Sequence, residues 1–443
     1  MVKPLCFVLM PFGRRSNERG GLVDFDAVYE RLLKPSVMDA GLDPLRADEE
    51  VLGGFIHKSM FERLIVCEYA VADLTMANPN VLYELGIRHA FRPRSTLIVF
   101  ARGFELPFDV EPLRGVLYTT TNDGMPTNLQ SVHDTIVDRL KASREPQDDS
   151  PIYQLLDGLP RNEVDHSKTD TFRDRVEYSR HYRSKLTVAR QQGARAVRDI
   201  ENEFSNLADV DIAIVVDLFL SYRAVKAYSD MIRLFERMSP ILRRTVLVRE
   251  QYAFALNRNG QGEQAEVLLK EIIDKRGPSS ETNGLLGRVY KDRWENERDK
   301  GNHVKALGLL RQAIETYLLG FEADWRDPYP GVNAVTLMEI LDSPDPRQVD
   351  ILPVVSYAAK QRARRPAADY WDYAALLETA ILMHNDVSAR LALEQVLCKT
   401  REIWDLETTA RNLRLIREAR ASRGEGTTFI EEVEQELLRA AKR

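Results

Sequence analysis

Up to about residue 145 the chain alternates short apolar runs of strand length with helix-period segments, and beyond that point the strand-type runs stop. That switch constrains the fold more than any other feature of the chain. Leu5 to Met10 is a continuous apolar run closed by Pro11 and Gly13, as expected of a strand buried on both faces. Further strands are predicted at Leu42 to Arg46, Tyr69 to Leu74, Thr96 to Ala101 and Val116 to Thr119. Between them, Phe25, Val28, Tyr29, Leu32 and Leu33 share one helical face that Gly41 ends. Ile56, Met60, Leu64 and Cys67 line a second helix, Val81 to Phe91 forms a third, and Leu129 to Ala142 a last one. Strands interleaved with helices predict an α/β, flavodoxin-like, doubly wound five-stranded parallel sheet in the order 2-1-3-4-5.

In such a sheet ligands bind beyond the carboxyl ends of the strands at the switch point, here between the first and third strands. The first strand delivers Pro11, Phe12 and Gly13 to that rim, and the third delivers Asp73. After Asp73, Asn78 and Pro79 supply an N-cap and a first helical residue, so Asn80 and Glu84 enter on the first turns of the next helix. Two readings remain open for each carboxyl group. Asp73 either binds a ligand or caps its own loop, and Glu84 either faces the crevice or pairs with Arg88 at i, i+4. Arg46 and Asp48 either reach a ligand or pair with each other, beneath a loop containing Gly53 and Gly54. Arg14, Arg15 and Arg19 read as a solvated loop with phosphate contact as the alternative. His57 and His89 read first as packed or surface residues.

Asp73-Leu74 followed by Asn80 and the triplet Glu84-Leu85-Gly86 resembles the signature of nucleoside 2-deoxyribosyltransferase-like domains, relatives of the Toll/interleukin-1 receptor domains that cleave NAD. The resemblance covers roughly residues 3 to 120. It implies that Glu84 is the nucleophile or ribose-binding carboxylate, that Pro11 to Gly13 contact sugar and base, and that Asp73 touches base or ribose. The implied substrate is a nucleoside, nucleotide or NAD-like N-glycoside, with no cofactor. Breaking that bond builds oxocarbenium character, which a nearby carboxylate stabilises or traps as a glycosyl intermediate. No second acid to protonate the leaving base is assignable, and His89 and Asp73 are its candidates.

Glu145 to Ser150 is a polar, proline-bearing break, and charged segments follow it, predicting one or two long amphipathic helices between Thr171 and Phe204. The expected organisation is an α/β domain over 1–145, a linker over 146–205 and an all-α region over 206–443. In that last region Tyr252, Ala253, Ala255, Leu256, Gly260, Ala265, Leu268 and Leu269 carry the small-and-large spacing of a tetratricopeptide unit. Ala265, Leu268 and Ile273 recur as Ala306, Leu309 and Ile314, 41 positions on, which places an insertion in the turn near Glu295 to Asn302. Further pairs are expected over 335–366 and 368–399, then a helix from Ile403 to about Ala421, completing a tetratricopeptide-like helical solenoid. Trp294, Trp325, Trp371 and Trp404 are expected to be core anchors between repeats.

The segments Glu281 to Asp292, Tyr329 to Leu337, Tyr370-Trp371-Asp372 and Ala410 to Glu418 are similar to the central regulatory region of the apoptosis signal-regulating kinases, over most of residues 200 to 420. The resemblance implies a region that binds adaptor proteins called TRAFs, behind a degenerate nucleoside-hydrolase-like domain. The kinase domain of that family has no counterpart in this sequence.

A net charge of -6 gives nucleic acid no electrostatic footprint on the chain as a whole. Three cysteines, Cys6, Cys67 and Cys398, lie far apart in apolar surroundings and read as buried thiols of a reducing compartment. No His or Cys cluster has metal-ligand spacing, and no segment approaches the apolar length of a membrane span, so a cytoplasmic protein is expected. The resulting expectation is a signalling or conflict-response protein that binds and hydrolyses a nucleotide-derived ligand, docks proteins on its repeats and self-associates. The alternative is a non-catalytic nucleotide-sensing adaptor.

Overall fold

The computed structural model describes residues 3–16, 21–46, 63–92, 94–104, 115–145, 148–156, 166–207, 210–365, 368–400 and 403–442. Asp48, His57, Arg19 and the Gly53-Gly54 loop lie outside the described residues. The chain divides into two units, Met1–Ser221 and Tyr222–Arg443.

The first unit is built on a six-stranded sheet, β1 (Leu5–Leu9), β4 (Asp43–Arg46), β5 (Tyr69–Asp73), β6 (Thr96–Ala101), β7 (Val116–Thr120) and β8 (Pro126–Thr127), in the order β4-β1-β5-β6-β7-β8. The pairings from β4 through β7 are parallel, and β7 pairs with β8 antiparallel. The sheet is therefore mixed, where five parallel strands were expected. The missed signal was Asn122-Asp123-Gly124, a hairpin turn in which Gly124 takes φ 79° and donates to the Thr121 carbonyl, returning the chain along β7. A separate hairpin of β2 (Arg14–Ser16) and β3 (Leu22–Asp24) also went unforeseen.

Strand β1 shows why its run is apolar at every position. Leu5, Phe7 and Leu9 pack with Leu64, Val81 and Leu85 on one face. Cys6 and Val8 pack with Tyr29, Leu32, Val132 and Ile136 on the other. The first face is covered by the turn at 63–66 and α3 (Pro79–Phe91), the second by α1 (Phe25–Val28), α2 (Lys34–Asp39) and α4 (Leu129–Ala142). Between α1 and α2 the chain widens into a π-helical turn, Tyr29–Leu33, just ahead of Pro35, which cannot donate to a regular ladder. After α5 (Pro151–Leu155) come the long α6 (His166–Gln192) and the short α7 (Ala194–Glu201), broken at Gly193 with φ 99°, where one or two long helices were expected.

The second unit is wholly helical within its described residues. Helix α8 (Ile212–Ala224) spans the boundary between the units, and after α9 (Tyr228–Arg237) successive neighbours pair as α10 (Val246–Arg258) with α11 (Gly262–Arg276), α12 (Ser280–Asp299) with α13 (His303–Ala323), and α14 (Pro328–Glu339) with α15 (Gln348–Ala363). They continue as α16 (Tyr370–Leu382) with α17 (Asp386–Lys399) and α18 (Ile403–Ser422) with α19 (Thr428–Ala441). Close approach within the stack needs glycine. A Cβ on Gly287 would lie 2.7 Å from the Tyr317 ring, and one on Gly331 would lie 2.8 Å from Phe321 and Val355.

Three expectations need correction here. The insertion near Glu295 lengthens α12 as far as Asp299, leaving only a short turn. Helix α14 starts at Pro328, earlier than 335, because Asp327 caps it through the Tyr329 amide and proline is tolerated at the first helical position. Helix α19 was not foreseen at all.

Candidate functional site

The rim at the carboxyl end of β1 gathers side chains that the sequence left apart. Pro11 is buried, Phe12 and Gly13 are half-buried, and the Gly13 amide donates to Asp26 Oδ1 at 3.3 Å. Arg46, at the end of the edge strand β4, is 8% exposed, and its guanidinium sits 4.4 Å from the Tyr29 ring centroid and 5.4 Å from that of Phe12. It also pairs with Asp26 at 3.1 Å. Phe12, Gly13 and Arg46 thus converge, held by Asp26 and Tyr29, two residues the sequence reading missed. Their signal lay in helical spacing, since Asp26 and Tyr29 occupy adjoining positions i, i+3 at the start of the first helix. Arg14 pairs with Asp24 at 2.7 Å and Arg15 donates to the Phe12 carbonyl, so both stay within the β2–β3 hairpin region.

Asp73 is fully buried. Its Oδ1 accepts from the Thr75 amide at 2.9 Å and the Thr75 hydroxyl at 2.6 Å, and its Oδ2 accepts from the Tyr118 hydroxyl at 2.8 Å. Burial pushes the carboxyl up to about 6, although those three donors favour its ionised form. The loop-capping reading of Asp73 accounts for the two Thr75 contacts, and Tyr118 of β7 supplies the third from across the sheet. The raised value has a pH consequence. The folded chain holds this proton more tightly than the unfolded chain, so the stability it contributes is complete at acid pH and is lost as pH rises from about 4 to about 6. Urea unfolding of the Asp73→Asn variant is expected to show a flatter pH dependence across that window.

Asn78 caps α3 by accepting from the Asn80 and Val81 amides, which leaves the Asn80 side chain exposed at the helix start. One turn on, Glu84 is half-buried, and burial pushes its carboxyl up to about 7, opposed by the charge of Arg63. The surface-pair reading of Glu84 fails on Arg88, which is 0% exposed and donates to the carbonyls of Leu64, Cys67 and Glu68 at 2.8, 2.6 and 3.0 Å. His89 is buried too, and burial together with the Arg88 charge pushes its ring down to about 4, so it is neutral near pH 7. It lies five residues past Glu84, about 140° around the helix, and so does not converge with it. Glu84 rides on the helix covering one face of the sheet, while Asp73 bonds Tyr118 on the opposite face. Among the described residues no group of His, Cys, Asp or Glu is placed to hold a metal ion.

In the helical unit only Trp294 of the four tryptophans is buried. Trp325, Trp371 and Trp404 are exposed by 63%, 41% and 41%, contrary to their expected core role. Trp371 and Trp404 stand 5.5 Å apart at the starts of α16 and α18, with the Lys226 ammonium 5.3 Å from the Trp404 ring. First-turn positions project past the helix pair, which is why repeat spacing alone misassigned them. Cys398 is likewise exposed, whereas Cys6 and Cys67 are buried free thiols.

An α/β sheet unit joined in sequence to a stack of helix pairs, with aromatic side chains left in solvent, describes a repeat-type interaction protein. The chain belongs to the MAP3K TRAFs-binding domain family, whose model matches residues 81–437. The match begins in α3, well ahead of the region over which the kinase resemblance was read, and includes Glu84. Mitogen-activated protein kinase kinase kinase nsy-1 of Caenorhabditis elegans is 28% identical over 243 residues, covering 50% of this chain and 15% of that protein. Kinase kinase kinase 15 of Mus musculus is 24% identical over 382 residues, covering 79% of this chain and 28% of that one. The chain thus spans well under a third of the length of these relatives. A solved tetratricopeptide repeat protein from Parabacteroides merdae aligns with 62% of this chain and 100% of that one at 12% identity and TM-score 0.33. No helix among the described residues is long and apolar enough to cross a membrane.

Proposed function

We propose that this chain is a signalling scaffold whose helical unit docks proteins of the TRAF adaptor type and whose α/β unit reads a nucleoside, nucleotide or NAD-like ligand with Glu84. The docking half rests on the family match across residues 81–437. Exposed Trp371 and Trp404 supply the rigid aromatic anchors on which binding energy concentrates at protein interfaces. Titration of the full chain with a purified TRAF domain tests it. Saturable binding that weakens at least about tenfold in Trp371→Ala is the expected result, and no binding by the unmodified chain refutes it.

The ligand half rests on one observation. Glu84 follows the carboxyl end of a central strand, and desolvation and Arg63 together set its carboxyl near 7. A carboxylate poised there is suited to meet positive charge developing at an anomeric carbon. Turnover is therefore expected to rise with pH through about 7, as Glu84 ionises. Incubating the chain with NAD and with deoxynucleosides should release nicotinamide or free base, and Glu84→Gln should reduce that release by at least about a hundredfold. Equal release by both proteins removes Glu84 from the chemistry.

A second reading, ligand binding without cleavage, is favoured by the state of the two candidate acids. Neutral, buried His89 and fully bonded Asp73 offer no proton to a leaving base. Calorimetric binding with no product supports this reading over hydrolysis. In it Glu84 holds the ribose hydroxyls, and self-association remains the step that would complete an active site.

A further inference from the structure

Helices α10 and α11 leave an open groove of about 380 Å³ between them. Tyr252 and Leu256 of α10 and Val267 and Leu268 of α11 form its floor, so its wall is mostly apolar. The Tyr252 ring is held flat against Phe235 of α9, with centroids 3.7 Å apart and planes 8° apart. Val267 nevertheless stands 61% exposed, a branched apolar side chain left in solvent.

Both ends of the groove are acidic. Glu263 and Glu271 lie four positions to either side of Val267, about 12 Å apart along the helix axis. Among the described residues that line the groove, none is a lysine or arginine. The neighbouring cations are engaged behind it. Half-buried Arg249 meets Glu271 at 2.7 Å, and Glu271 remains exposed to solvent. Lys270 and Arg293 both pair with Glu266, which also accepts from Tyr290 of α12. Arg293 reaches the exposed Glu263 only at 3.5 Å, and an exposed pair of that kind is worth little.

The groove therefore presents an apolar floor between two carboxylates that face solvent. An extended peptide cannot add to it as a strand, because the amides and carbonyls of both helices are already bonded within those helices. Side chains alone must make the contact. A surface that carries apolar side chains between cations about two turns apart is one face of an amphipathic helix.

We propose that the α10–α11 groove docks an amphipathic helix of a partner protein, with apolar residues seated on Tyr252, Val267 and Leu268 and lysines or arginines two turns apart meeting Glu263 and Glu271. This surface lies on different helices from Trp371 and Trp404, and its occupation does not depend on theirs.

Selection of a displayed library of helical peptides on the full chain, counter-selected on the Val267→Arg chain, tests the groove. The new arginine fills the groove with a cation and keeps the helix, since it has Glu263 and Glu271 at i-4 and i+4. Circular dichroism checks that the variant is folded. Enrichment of peptides with an apolar centre and Lys or Arg seven or eight positions apart is the expected result. A recovered peptide should bind at least about tenfold more weakly to Glu263→Lys and equally well to Trp371→Ala. No enrichment, peptides without the paired cations, equal recovery on both baits, or binding lost in Trp371→Ala overturns the proposal. A dimer of the unmodified chain that Val267→Arg dissolves in sedimentation also overturns it, since a second copy would then fill the groove.

Discussion

Arg88→Met is expected to destabilise the α/β unit by at least about 3 kcal/mol, lowering its thermal midpoint by roughly 10 °C. The guanidinium is 0% exposed and works as a multiple donor. It serves the carbonyls of Leu64, Cys67 and Glu68 and the hydroxyls of Thr96 and Ser95. The carbonyls belong to the end of the helical turn at 63–66 and the entry to β5, and the hydroxyls lie at the entry to β6, so one side chain on α3 ties down three connections. Methionine fills the space of the aliphatic stem but takes the guanidinium donor from the buried Leu64 and Cys67 carbonyls, each costing about 1–3 kcal/mol, while the Glu68 carbonyl keeps the Ser95 hydroxyl. Burial and the Arg92 charge lower the Arg88 pKa to about 10, which still leaves it charged at pH 7. Arg88→Lys should recover only part of the loss, because a compact ammonium cannot span the same acceptors. Urea unfolding followed by circular dichroism measures both variants, and a loss below about 1 kcal/mol for Arg88→Met would show that water replaces the guanidinium at these carbonyls.

Arg88 also marks where sequence reasoning reaches its limit. The i, i+4 spacing of Glu84 and Arg88 reads equally well as a surface ion pair, and only packing reveals that α3 turns Arg88 inward. Strand positions were legible because β1, β5 and β6 are buried on both faces and therefore apolar apart from Asp73 and Thr96 at their ends. The antiparallel β8 was not, since a two-residue strand carries no periodicity and its turn sequence was the only cue. At the candidate site, Phe12, Gly13 and Arg46 were nominated separately, and the sequence could not show that Asp26 and Tyr29 would join them, because that contact depends on how the helix after β3 meets the rim. The repeats were legible from small residues such as Ala253 and Ala265, whereas the exposure of Trp371 and Trp404 depends on where each helix begins.

In the helical unit the largest loss is expected from Arg420→Met, about 3–5 kcal/mol, the range found when one member of a buried ion pair is removed. Helix α18 and the residue just past its end present arginines every third residue, and each meets a carboxylate of another helix. Arg411 meets Glu295, Arg414 and Arg417 meet Glu434, and Arg420 and Arg423 meet Glu339. The Arg420–Glu339 contact, at 2.8 Å, is the most deeply buried of these, with side chains 3% and 7% exposed. Arg420 further donates to the carbonyls of Ile381 and Leu382 at the end of α16, both at 3.2 Å, while Gln348 of α15 donates to the other oxygen of Glu339 at 3.0 Å. Three helices therefore meet at one carboxylate, and α16 joins them through Arg420. Truncating the arginine strands that charge with Arg423 and Gln348 alone, whereas Arg420→Met combined with Glu339→Met removes the charge as well as its partner. The double variant should consequently be more stable than the sum of the two single losses predicts, by at least about 1 kcal/mol in a thermodynamic cycle. Strict additivity would mean that α18 is held by its apolar face, Leu413 and Ile416 among the buried core, and that its arginines contribute register without coupling.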